Sequence, residues 1–117
     1  MKKLIVFIFL TANYGFSQIA TVDSYYKISK TQGGFFGSLD NDDKFGNPEC
    51  IGDLNNDGIN DFVIAAPGDD DGGINKGAIW IPFMKNDFSV DSYQKISNTQ
   101  GNFTGSLDND DFIGVAI

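Results

Sequence analysis

Residues 23–46, DSYYKISKTQGGFFGSLDNDDKFG, return at residues 91–114 as DSYQKISNTQGNFTGSLDNDDFIG, at an offset of 68 with no gap and with 18 of 24 positions identical. Chance does not produce such a match. A fixed period of this kind marks a chain built by stacking one supersecondary unit, and it constrains the fold more than any local propensity. The 117 residues hold one complete 68-residue unit and the first 27 residues of another, which stops four residues short of the position matching Asp53. The expected division is a leader at 1–17, a first repeat at 18–90 and a truncated second repeat at 91–117. A unit like this buries its apolar face only against neighbours, so further copies of the repeat are the first partners to expect.

Within the unit the pattern is strand and turn, with no helical periodicity. Phe62-Val-Ile-Ala-Ala66 and Ala78-Ile-Trp-Ile-Pro-Phe83 are apolar runs, and residues 25–29 with their twin at 93–97 form another kind. Gly and Asp/Asn clusters separate them. Residues 45–54 could add one more strand, although Pro48 counts against it, and Pro82 predicts an edge position or a strand end. About four short strands per repeat predict an all-β chain whose unit is one blade of a propeller. At strand spacing Trp80 and Phe83 read as packing between blades rather than as a sugar-binding platform.

The chain opens with Lys2 and Lys3, an apolar run from Leu4 to Leu10, and small residues Gly15 and Ser17 before Gln18. That is the three-part form of a secretory signal peptide cleaved after Ser17. Its apolar run is too short for a membrane span of about 20 residues, and no later segment is apolar enough. The expected location is secreted, extracellular or at the cell surface. Loss of Lys2 and Lys3 takes the net charge from −8 to about −10, and every cation left is a lysine. So acidic a surface repels nucleic acid, which is bound by neutralising phosphate. Eleven Phe, four Tyr and one Trp argue against disordered acidic loops. Cys50 is the only cysteine, so no disulfide forms within the chain, and a small buried hydrophobe is its expected role.

The stretch GDLNNDGINDF, residues 52–62, puts an oxygen side chain at every second position. Asp53, Asn55, Asp57 and Asp61 would take positions 1, 3, 5 and 9 of a cation loop, with Gly58 at position 6 turning the Ile59 carbonyl inward at position 7. An EF-hand needs a carboxylate at position 12, and Ile64 stands there. The all-oxygen set favours Ca2+ over Mg2+, which keeps several waters, and with no His it does not suit zinc or copper. The alternative is an Asn/Asp turn held by its own side chain to backbone hydrogen bonds. The clusters at Asp40, Asp42, Asp43 and at Asp69 to Asp71 lack this spacing and read as connecting turns.

Phe45-Gly46, then IGDLNNDGINDFVIAAPG at 51–68, then Gly77-Ala78-Ile79-Trp80 resemble the FG-GAP repeat. That repeat builds the seven-bladed propeller of integrin alpha chains and occurs in many bacterial secreted proteins. Ala65-Ala66-Pro67 stands in place of Gly-Ala-Pro, and the second copy has Ile113-Gly114 in place of Phe-Gly. The resemblance implies that the nine-residue loop binds calcium and leads straight into a strand. It also implies a non-catalytic extracellular module for adhesion or recognition, with a protein or glycan ligand. Two other functions stay open: a piece of a secreted polysaccharide-acting enzyme whose catalytic residues lie elsewhere, and a purely structural array. Glycoside hydrolysis needs only two carboxylates. The chain has no His or Arg, however, and metal and turns account for its acids, so no catalytic residue is assigned.

Overall fold

A computed structural model describes residues 21–117, and the leader expected at 1–17 lies outside the described residues. Four strands form one antiparallel sheet in chain order: β1 (Gly46–Gly52), β2 (Asp61–Ala66), β3 (Ala78–Met84) and β4 (Val90–Ser97). There is no helix among the described residues. An all-β, four-stranded meander is the form of a single propeller blade. The β1–β2 and β3–β4 connections leave one end of the sheet, and the β2–β3 connection leaves the other.

Burial separates inner from outer strands. In β3, Ala78, Trp80, Pro82 and Met84 are buried and alternate with half-buried Ile79, Ile81 and Phe83, as a strand covered mainly on one face requires. Ile64, Ala65 and Ala66 of β2 are all buried, so β2 is covered on both faces there. The register sets Ile64 opposite Trp80 and Ala65 opposite Ile79. On the Trp80 face, residues of the first copy complete the core: Ile28, Phe35, Leu39 and Phe45 pack with Ile64, Trp80, Met84 and Val90. Phe35 is the hub, its ring centroid 5.2 Å from those of Phe45, Trp80 and Tyr93. The opposite face receives the second copy at Gly114, which closes on Ala65 and Ile79. Strands β2 and β3 thus lie between the first copy and the end of the second, whose residues 91–97 belong to β4 of the sheet itself.

Three expectations change. Residues 25–28 are not a strand, and Ser29 makes only an isolated bridge to Gln32, while the twin at 93–97 lies inside β4. Residues 93–97 have β3 to pair with, and 25–29 have no such neighbour among the described residues. Pro82 is in an inner strand rather than at an edge. The β2–β3 register stops at Trp80, so the ladder has already ended where Pro82 lacks a donor, and only the β4 side is paired, to Tyr93. Cys50 is exposed and free, because β1 is an edge strand whose outer residues face away from the core. That edge also accommodates Pro48, beside a register shift between Gly46 and Pro48.

Candidate functional site

The loop joining β1 to β2 is folded by its own side chains. The Asp53 carboxylate lies across the turn, accepting the Asp57 N–H at 3.1 Å and the Gly58 N–H at 2.8 Å. Asn55 Oδ1 accepts the same Asp57 N–H at 3.2 Å, and Asn55 Nδ2 donates to Asp57 Oδ2 at 2.9 Å. Asp57 Oδ1 accepts the Ile59 N–H at 2.8 Å. Gly58 has φ +88°, and a Cβ there would meet nothing within 4 Å. Its glycine is therefore needed for backbone conformation and not for space.

Asp61 is placed differently from the rest. It opens β2 and is wholly buried. One carboxylate oxygen accepts the Leu54 N–H at 2.9 Å, and the other accepts the Met84 N–H at 3.0 Å. Asp61 thereby takes the place of the backbone partner that β3 lacks beyond Trp80, and it ties the loop to the sheet. Spacing alone marked Asp61 as a ligand and gave no sign of this second task.

The donor set of Asp53, Asn55, Asp57, the Ile59 carbonyl and Asp61 is oxygen throughout, which is the chemistry of a hard cation. It is not a finished cage. Among the described residues no three acidic, His or Cys side chains are grouped to hold a metal ion. The carboxylates of Asp53, Asp57 and Asp61 each face amides, though each oxygen keeps a second lone pair for a further partner.

A second polar constellation lies at the opposite end of the sheet, where the acidic turn after β2 meets the second copy. Lys95 reaches from β4 to Asp69 at 2.9 Å and to Asp71 at 3.2 Å, with the Lys95 and Asp69 side chains only 8% and 5% exposed. Its ammonium also stands 5.0 Å from the Trp80 ring centre, a favourable placement for a desolvated cation. Asp71 further accepts hydrogen bonds from the Ser97 hydroxyl at 2.6 Å, the Thr99 hydroxyl at 2.7 Å and the Gln100 amide at 3.1 Å. Burial works to raise the Asp71 carboxyl, yet Ser97, Thr99 and the Lys95 cation together outweigh it and hold the group at about 2. Burial likewise works to lower Lys95, and Asp69 and Asp71 raise it above the ordinary lysine value. Asp43 is raised chiefly by burial, against the Asp40 N–H that it accepts at 2.7 Å. The turn expected around Asp69 to Asp71 is therefore a clasp between one repeat and the next, buried at Asp69, Lys95 and Ser97 and open to solvent at Thr99 and Gln100. The signal that could have found it is the Lys-Ile-Ser-x-Thr-Gln-Gly string common to both copies, at residues 27–33 and 95–101.

Comparison with known proteins finds one family. Residues 45–81 match the model of the FG-GAP repeat. No curated protein and no solved structure matches the chain. The matched segment takes in β1, the oxygen-rich loop, β2, the acidic turn and the first half of β3. Its Phe-Gly start, loop, apolar strand and Gly-Ala-led strand fall on the elements in the order laid out above, so the segment from 45 to 81 matches the FG-GAP repeat element by element.

Proposed function

We propose that this chain is a non-catalytic, extracellular repeat module for adhesion or recognition, in which calcium stiffens the loop between β1 and β2. The observation that carries this reading is the loop itself. Oxygen side chains at alternate positions fold around Gly58 at φ +88°, inside a segment that matches the FG-GAP repeat. Asp53, Asn55, Asp57, the Ile59 carbonyl and Asp61 would hold the ion, which would supply charge neutralisation and rigidity rather than chemistry. The loop shares a shallow groove with the β3–β4 turn, where Asp57 and Ile59 face Lys85, Asp87 and Asp91. Stiffening one side of that groove gives a protein or glycan ligand a fixed surface. Repeats of this family are typical of extracellular proteins, and no helix among the described residues is long and apolar enough to cross a membrane.

The test is a melting curve of the full chain with calcium and with chelator. Binding to the folded state alone stabilises by about 2.7 kcal/mol at a hundredfold excess over the dissociation constant. Asp57→Ala removes most of that gain. A transition indifferent to both calcium and chelator contradicts the proposal and leaves the loop as a turn closed by its own hydrogen bonds.

A further inference from the structure

The first copy carries an open groove of about 210 Å³, with Ser29, Lys30 and Thr31 on one wall and residues 39–45 on the other. The second copy builds the same two walls from residues 97–99 and 107–113, and there a partner is seated: the turn of residues 69–77 from the blade. Its docking is specific. Asp71 takes the hydroxyls of Ser97 and Thr99, and Asn109 Oδ1 accepts the Ile74 N–H at 3.1 Å. Asn75 Nδ2 donates to Asp110 at 2.8 Å. The N–H groups of Asp110, Phe112 and Ile113 donate to the carbonyls of Ile74, Asn75 and Lys76 at 2.9, 3.0 and 2.9 Å.

One side chain of the first copy has to move to receive such a turn: Lys30, at the position of Asn98, reaches from one wall to the Leu39 carbonyl of the other at 2.7 Å. The backbone already has the required form. Ser29 N–H donates to Gln32 O at 3.1 Å, as Ser97 N–H does to Gln100 O at 3.2 Å. Asp42 and Lys44 hold φ of 73° and 58°, and their counterparts Asp110 and Phe112 hold 65° and 51°. The Asp40 N–H to Asp43 bond and the Asp108 N–H to Asp111 bond are both 2.7 Å. Ser29, Thr31, Asn41 and Asp42 repeat the side chains that grip the turn in the second copy. Lys27 stands in the place of Lys95, and among the described residues it has no carboxylate as an ion-pair partner. An acidic turn would supply one.

We infer that the groove of the first copy is the seat for the Asp-rich 69–77 turn of another copy of this repeat, with Lys27 closing on its two carboxylates. Docking would also set a β3-type strand beside residues 25–29, which then pair as residues 93–97 do. The inference rests on the two copies and needs no calcium, so its failure and that of the calcium reading are separate results.

The test lengthens the full chain by one further copy of residues 23–90 fused directly ahead of Asp23, and compares substitutions in the two lengths by thermal melting. In the 117-residue chain, Lys95→Ala lowers Tm by at least about 5 °C, because it strands buried Asp69 beside half-buried Asp71, and Lys27→Ala leaves Tm unchanged. In the lengthened chain Lys27→Ala lowers Tm as Lys95→Ala does. Thr31→Val, which removes one hydroxyl and keeps the shape, repeats the comparison against Thr99→Val should the lysine variants fail to fold. Lys27→Ala and Thr31→Val that are silent in both lengths would overturn the inference. So would an added copy that melts as a separate transition, or a Lys27→Ala already damaging in the shorter chain.

Discussion

Residues 23–46 and 91–114 share 18 of 24 positions and adopt the same turns, yet they end in different states. Ile28, Phe35, Leu39 and Phe45 of the first copy are buried, while their counterparts Ile96, Phe103, Leu107 and Ile113 are only half-buried. The relation inverts for the polar string. Lys95, Ser97, Thr99 and Gln100 grip an acidic turn, and Lys27, Ser29, Thr31 and Gln32 grip none. Each copy has two faces, an apolar one for the blade that follows and a polar one for the blade that precedes. With one blade present, each copy satisfies one face. Local sequence sets the turns here, and the neighbour decides what becomes strand and what becomes core.

The apolar face offers the largest contrast. Phe35→Ala empties the centre of the aromatic cluster and should cost about 4 kcal/mol in chemical denaturation. Phe103→Ala, at the matching position without a following sheet, should cost about 1 kcal/mol or less. Equal costs would mean that the second copy has found an apolar partner of its own, and the two-faced description of the copies would fail.

How much of this could be read in advance follows the same division. The apolar runs at 62–66 and 78–83 became β2 and β3, because a short β-branched run between Gly and Asp clusters has few other uses. The repeat announced a unit that needs neighbours, and the alternating oxygens announced the loop. Residues 25–29 misled, since the same Asp-Ser-Tyr-x-Lys-Ile-Ser letters are strand or not depending on a strand beside them. Asp61 was legible as a candidate ligand but not as the acceptor for Met84, which lies 23 residues away in sequence. Asp71 carried no local mark at all. Its partners are contributed by the next copy, and only the recurrence of their string hinted at a shared task.

A smaller contrast appears in acid. The folded-state value of Asp71 is depressed from 3.8 to about 2, so its contribution is fully present above pH 4 and is lost as pH falls through about 2. The loss amounts to about 2 kcal/mol. Asp43 acts in the opposite sense: its value is raised, so its protonation in acid favours the folded state and offsets part of that loss. Asp71→Asn should flatten the acid limb of the stability curve between pH 4 and pH 2 relative to the unsubstituted chain. Lys95→Ala should move that limb to higher pH, and Lys27→Ala should leave it in place. An acid limb that shifts equally for both lysines would deny that only the second copy is clasped.

The central claim is that two segments alike at 18 of 24 positions diverge because only one of them has a strand beside it. Amide hydrogen exchange on the full chain measures this most directly, by comparing the β3-facing amides of residues 93–96 with the same positions at 25–28. Exchange in the second copy should be slowed with the rest of the sheet, and exchange in the first should run close to the rate of an unpaired chain. Equal protection of the two segments would contradict the account.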